Sequence, residues 1–236
     1  MNSSGPRLHA PIVVSFSGLD GAGKTTHIEA LRRLASQLGL STTLVTFWDD
    51  VVVGTRYREG FVHKVFGSEK GVGTPGRPVE RRDKNVRAGY LTLMRHLLYL
   101  LDAVHLRVVL SRVRRGGAVV IIVDRYIYDE LANLPLENRF SAVYARALAL
   151  AAPRPHIAFL LDAVPELARA RKPEYSVEFL RQSRQSYLRL AHLLGDMTIV
   201  PPAELEESQR FVLDHFSQAV EAARRDSGLA GVAPAA

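Results

Sequence analysis

The chain is 236 residues long, enough for one domain with a full core, and carries a formal charge of +7. Its apolar and charged fractions, 47% and 23%, are ordinary for a water-soluble globular protein. It has no cysteine, which excludes disulfides, thiolate metal sites and a cysteine nucleophile, and suits a reducing cytoplasm. The basic excess fits either a nucleic-acid partner or a cleft that handles phosphates. Residues 1–11 lack the apolar core of a secretion signal and read as a disordered leader. No uncharged run approaches membrane-spanning length, so no membrane partner is expected.

The chain is organised around Ile12 to Thr26. A short β-branched apolar run ends at Gly18, and Gly18 to Thr25 fills the pattern G-x-x-x-x-G-K-[ST]. A helix-compatible segment follows, so strand, loop and helix stand in the order a phosphate-binding loop requires. Glycines at 18, 21 and 23 let backbone N–H groups, with those of Ala22, Lys24, Thr25 and Thr26, turn toward phosphate oxygens. The helix N-terminus adds its dipole. Lys24 supplies a mobile charge for the β- and γ-phosphates, and the Thr25 hydroxyl suits Mg²⁺.

Ile28, Leu31, Leu34, Ala35 and Leu38 mark the apolar stripe of the first helix, with Gly39 past its end. Ser41 to Phe47 reads as a second strand. Residues 49–84 are punctuated by glycine and proline and carry much of the positive charge, which fits a solvated basic loop or a surface that closes on a phosphorylated substrate. Asn85 to Arg115 reads as one long helix, apolar around much of its circumference and therefore expected to be mostly buried. Asp102 within it is either a substrate contact or a paired carboxylate.

Ala118 to Asp124 is a continuous apolar run, the signature of a parallel strand buried on both faces. Asp124 at its carboxyl end stands where Mg²⁺ or its water shell is held, or else caps the next helix. Arg125 suits bidentate phosphate binding. A helix over Glu137 to Ala151, a strand over His156 to Leu161 and a short helix from Pro165 follow. Arg169, Arg171 and Lys172 near the end of that helix either answer its dipole or reach over the nucleotide as a lid, residues 169–175. A helix over Ser176 to Leu194, a strand over Met197 to Val200 and a helix over about Glu204 to Arg225 complete the domain, residues 12–226. The tail 227–236 reads as disordered. Alternating strands and helices predict an α/β fold, a five-stranded parallel sheet with helices on both faces.

Taken in order, FSGLDGAGKTT, LLYLLDA (Leu97 to Ala103), RGGAVVIIVDRY (Arg115 to Tyr126), PRPHIAFLLDAVPELARAR (Pro153 to Arg171) and SRQSYLRLA (Ser183 to Ala191) resemble the thymidylate kinase-like branch of the P-loop nucleoside monophosphate kinases. The resemblance spans about Ile12 to Val220. It implies γ-phosphoryl transfer from Mg·ATP to a nucleoside monophosphate, with thymidylate as the default acceptor. It assigns Lys24 and Thr25 to ATP and Mg²⁺, Asp20 to the acceptor sugar and phosphate, Arg125 to bridging donor and acceptor phosphates, and Arg169 and Arg171 to the lid. It also suggests a homodimer through the long helix.

Three acceptor contacts of that family have no counterpart. The arginine expected after the second strand is missing from Val45-Thr46-Phe47-Trp48-Asp49-Asp50, and Ala103 replaces an arginine that reads the base. Asp129, Asn133 and Leu134 stand where the family has a serine and a Tyr-Gln pair. These departures imply a diverged acceptor pocket; Arg56, Arg58, Arg77 or Arg82 are candidates for the lost phosphate ligand, and Trp48 either stacks on a base or fills core. Two other readings stand beside this one: a kinase of another phosphate or hydroxyl acceptor, and a nucleotide-dependent regulatory module touching nucleic acid through the basic segment. No stacking aromatics form a nucleic-acid motif, so no nucleic-acid partner is expected.

Overall fold

The computed structural model describes residues 10–52 and 89–227. The leader, nearly all of the basic 49–84 segment with its candidate arginines, and the tail from Gly228 lie outside the described residues. Five strands, β1 (Ile12–Gly18), β2 (Thr42–Thr46), β3 (Val120–Asp124), β4 (Ile157–Leu161) and β5 (Thr198–Val200), form one sheet in the order β2-β3-β1-β4-β5. All neighbours are parallel. The helices are α1 (Lys24–Gln37), α2 (Gly89–Arg115), α3 (Ile127–Leu131), α4 (Arg139–Ala151), α5 (Pro165–Arg171), α6 (Val177–Leu194) and α7 (Leu205–Asp226). The parallel α/β fold predicted from the sequence is the one observed.

The strands sort their side chains by the period of two. Val13, Ile121, Val123 and Ala158 face one core with Ala103, Leu106 and Leu110 of α2 and Leu148 of α4. Ile12, Val14, Phe16, Ile122 and Phe159 face the other, closed by Leu31 of α1 and Val212, Phe216 and Val220 of α7. Phe16 stacks on Phe159 with ring centroids 5.3 Å apart at the centre of this second core. Burial on both faces explains why β3 and β4 read as continuous apolar runs.

Local signals end the elements. Past α1 the amides of Gly39 and Leu40 donate to Ser36 O and Ala35 O at 3.0 and 2.8 Å, the paired bonds of a Schellman cap. Ser176 Oγ accepts from Phe179 N at the start of α6, and Asn138 Oδ1 from Phe140 N at the start of α4.

Two local expectations change. The second strand ends at Thr46, one residue before the expected Phe47, and Phe47–Val51 coils into one π-helical turn, where Asp50 Oδ2 accepts from Thr46 N at 2.7 Å. Within it Trp48 packs partly buried against the first core, edge-on to Phe47. The long helix is also less buried than its composition predicts. Leu97, Leu100, Leu101, Val104 and Val108 are 39–56% exposed, because the sheet occupies only the opposite face, that of Ala103, Leu106 and Leu110. Asp102 is fully buried.

Candidate active site

The site lies at the carboxyl ends of β1 and β3, adjacent strands paired Phe16 to Asp124. In open parallel sheets a crevice opens where the strand order reverses, as it does between β3 and β1. Gly18 and Gly21 are the loop positions where a side chain is excluded. Both have positive φ, 137° and 83°. A Cβ at Gly18 would stand 2.6 Å from Leu161 O, and one at Gly21 2.2 Å from Ala168 O. The loop is thus pressed against β4 and against α5, the helix that carries Arg169 and Arg171.

Lys24, the first residue of α1, is buried, and its Nζ donates to the carbonyls of Gly18 and Leu19 at 2.9 and 2.7 Å. Burial, and then the charge of Arg125, lower its pKa to about 8. His27, one turn along, is buried; its Nδ1 donates to Gly23 O at 2.9 Å and its Nε2 lies 3.2 Å from Ser208 Oγ. Burial lowers its pKa and Arg171 adds to the effect, so the ring is neutral at pH 7 and Arg171 lies close enough to be felt there.

Arg125 is held in an uncommon conformation. Its φ is 66°, the only positive φ at a non-glycine among the described residues, and its amide donates to Phe16 O at 2.9 Å. A left-handed backbone at such a residue costs about 1–2 kcal/mol, so the surroundings must hold it. They do so with two carboxylates: the guanidinium pairs with Asp20 and, at 3.1 Å, with Asp129 Oδ1. Burial alone would lower the Arg125 pKa, but Asp129 and Asp20 outweigh it and raise it.

Asp129 is the hub beneath this arginine and is itself buried. Its Oδ2 accepts from Ser17 Oγ at 2.6 Å and from Tyr126 N at 3.0 Å, while its Oδ1 takes Arg125 and the Tyr187 hydroxyl at 2.8 Å. Burial, and next Asp129, push the Tyr187 phenol well above its usual pKa, so it stays a donor. Asn133 Nδ2 donates to Asp129 O at 2.8 Å, and Leu134 is buried in the first core.

Asp124 ends β3 beside these groups. Burial raises its pKa, against the pull of Lys24 and Arg125, and its Oδ1 is buried with no hydrogen-bond partner among the described residues. It is not the cap of α3, whose N-terminal position is Tyr126. An oxygen left open in this way fits a hard cation or its water shell. No group of three or more His, Asp or Glu able to hold a metal occurs among the described residues.

The structure therefore gathers Lys24, Asp20, Arg125 and Asp124 at one crevice. Arg171 stands near the first turn of α1, and Lys172 Nζ comes within 3.9 Å of Asp20 Oδ1. Thr25 is exposed in that same turn. Asp129, Tyr187 and Ser17 were not singled out as site residues by motif. Tyr187 lies within a segment that carries the resemblance, but nothing in its spacing announces a partner 58 positions away.

Curated relatives agree with this architecture. The chain is 29% identical over 198 residues to a probable thymidylate kinase of Pyrococcus abyssi, covering 79% of this chain and 86% of that one. It is 27% identical over 191 residues to a thymidylate kinase of Bifidobacterium longum subsp. infantis, covering 76% and 74%. It is 26% identical over 222 residues to a thymidylate kinase of Bifidobacterium longum, covering 89% and 92%. No family model matches the chain. Together with the phosphate loop and the all-parallel sheet, five such relatives make the chain similar to the thymidylate kinases and support a thymidylate kinase-like P-loop kinase.

Proposed function

We propose that the protein transfers the γ-phosphoryl group of Mg·ATP to a nucleoside monophosphate through an acceptor pocket that has diverged from thymidylate recognition. An oxygen of the acceptor phosphate attacks the γ-phosphorus, the bond to the β–γ bridging oxygen breaks, and ADP leaves. Such a step needs positioning and charge neutralisation more than covalent catalysis. The observation that carries the reading is Arg125. A guanidinium held at the mouth of the phosphate loop, between the loop acid Asp20 and the hub Asp129, suits a bridge between donor and acceptor phosphates.

Each remaining residue has a part. The loop amides from Gly18 to Thr26 and the N-terminus of α1 cradle the donor phosphates, and Lys24 neutralises the β- and γ-oxygens. Thr25 and Asp124 hold Mg²⁺, directly or through water; when bound, the ion offsets charge on the β- and γ-phosphates. Asp20 orients the acceptor through Arg125. Arg169 and Arg171 belong to a lid over residues 169–175 that covers the transferring group and keeps water out. Asp129 and Tyr187 touch no reacting atom in this scheme; they position Arg125.

The acceptor side supports divergence. Ala103 is buried and offers no hydrogen bond to a base. Leu134 is committed to the core, and Asn133 to the backbone of Asp129. Donors that read thymine in the family are therefore not supplied from these positions, and discrimination by hydrogen bonding falls with them. The exposed stripe Leu97, Leu101, Val104 and Val108, at helical spacing on α2, supports a homodimer through that helix. The absence of cysteine supports a cytoplasmic setting.

The test is phosphoryl transfer from Mg·ATP across a panel of nucleoside monophosphates, nucleosides and sugar phosphates, with Lys24→Ala as control. Turnover of a monophosphate that the control abolishes supports the proposal, and the preferred base reports the pocket. ATP binding that depends on Lys24 with no monophosphate phosphorylated ends it.

A further inference from the structure

A second concave basic surface lies away from this crevice. A cleft of about 820 Å³ is formed by Arg107, Ser111, Arg112, Arg114 and Arg115 of α2 and Arg154 before β4, over an aliphatic floor that includes Val108 and Leu110. It adjoins the amino ends of β3 and β4, whereas the phosphate loop and Arg125 stand at the carboxyl ends. Five residues of β3 separate the two, roughly 13 Å of strand.

Among the described residues, five guanidiniums line this cleft and no carboxylate does. Arg107 is fixed, its Nε donating to Ala151 O at 2.6 Å. The guanidiniums of Arg112, Arg114, Arg115 and Arg154 make no hydrogen bond or ion pair among the described residues. Neighbours register the uncompensated charge: after burial, Arg114 is the further cause that lowers the pKa of His156. The C-terminal dipole of α2 accounts for bases in its last turn. It does not account for Arg107, two turns earlier, or for Arg154, on another segment, converging on the same space.

The chemistry narrows the occupant. Guanidiniums present planar forks that match phosphate oxygens. None of the described lining residues is aromatic, so none of them stacks a base, as single-stranded nucleic acid would require. The volume of the cleft is that of a small-molecule pocket. We propose that this cleft is a second anion site, separate from the phosphate loop, which takes a small ligand bearing several contiguous phosphates. The ligand is either free polyphosphate or the tail of a nucleoside triphosphate.

Calorimetric titration of inorganic tripolyphosphate into the full-length Lys24→Ala protein, with its loop site disabled, tests this. One saturable, salt-sensitive equivalent is expected. Arg112→Gln with Arg154→Gln should weaken it at least about tenfold, the loss expected for removing charge-assisted bonds. Arg33→Gln, an exposed arginine of α1, should not, and circular dichroism checks that all variants melt alike. ATP binding as tightly as tripolyphosphate identifies the nucleotide tail as the source, and tripolyphosphate binding alone identifies free polyphosphate. Binding that never saturates, that ignores the Arg112 and Arg154 changes, or that is outcompeted by a single-stranded oligonucleotide overturns the proposal.

Discussion

The Asp129–Tyr187 contact offers a sharp test of how Arg125 is held. Asp129→Asn keeps one acceptor oxygen for Ser17 Oγ and Tyr126 N but turns an amide N–H toward Arg125 and Tyr187. Two bonds to a charged group are then lost in a buried setting, at about 1.5–3 kcal/mol each, or about 3–6 kcal/mol together. Tyr187→Phe removes one of the same bonds without opening a cavity and should cost about 1.5–3 kcal/mol. Because both changes delete that single bond, the double variant should be no worse than Asp129→Asn alone, giving a coupling of about 1.5–3 kcal/mol. Urea unfolding of the four proteins measures it. Under the proposed function, Asp129→Asn should also lower kcat about a hundredfold through misplacement of Arg125, with KM for ATP little changed. Additivity within about 0.5 kcal/mol would refute the hub, since independent sites behave that way.

Lys24 has a pKa near 8 in the free protein, and donor phosphates should raise it, so ATP binding at pH 8 should take up about half a proton. Calorimetry in buffers of different ionisation enthalpy reads that number, and zero uptake contradicts the assignment. The same shift carries a sign for folding. With the folded pKa below the unfolded one, the unfolded chain binds more protons between about pH 8 and 10.5, so this group adds stability as pH rises through that window. Gly21→Ala places a Cβ 2.2 Å from Ala168 O at a left-handed φ and must push α5 off the loop; a loss of at least about 2 kcal/mol and of most activity is expected, with an unchanged melting point as the contrary result. Val104→Glu, on the exposed stripe of α2, should leave the fold intact and shift sedimentation from dimer to monomer; a wild-type protein that already sediments as a monomer removes the dimer reading.

What the sequence disclosed and what it hid have different physical origins. The phosphate loop and the central strands were legible because their constraints are local: a backbone curl needs glycine at fixed spacing, and burial on both faces demands an unbroken apolar run. The Arg125 network was not, because its partners are far apart in sequence. Asp20 lies 105 residues from Arg125, and Ser17 lies 112 from Asp129. Asp129 even registered as a loss, a serine position of the family filled by something else. Only the folded chain shows that it accepts from four donors. The exposed stripe of α2 misled for the opposite reason. A helix apolar on several faces reads as buried, although the sheet can cover only one of them.

Arg125 also explains why the two halves of the site need not have changed together. Its backbone is tied to the donor side by the amide bond to Phe16 O on β1, which leads directly into the phosphate loop. Its side chain is tied by Asp129 to α3, which under the proposed function lies on the acceptor side. A serine at 129 would leave the guanidinium with Asp20 as its sole carboxylate and free to turn toward an incoming phosphate. A buried aspartate instead fixes it beforehand, so the acceptor must arrive in a geometry that the arginine already dictates. Pre-organisation of this kind lowers the reorganisation needed at the transition state while narrowing the set of acceptors that fit. Asp129→Ser should therefore broaden the range of monophosphates accepted and lower the turnover of the best one. A change in turnover with an unaltered ranking of acceptors would restrict Asp129 to stability.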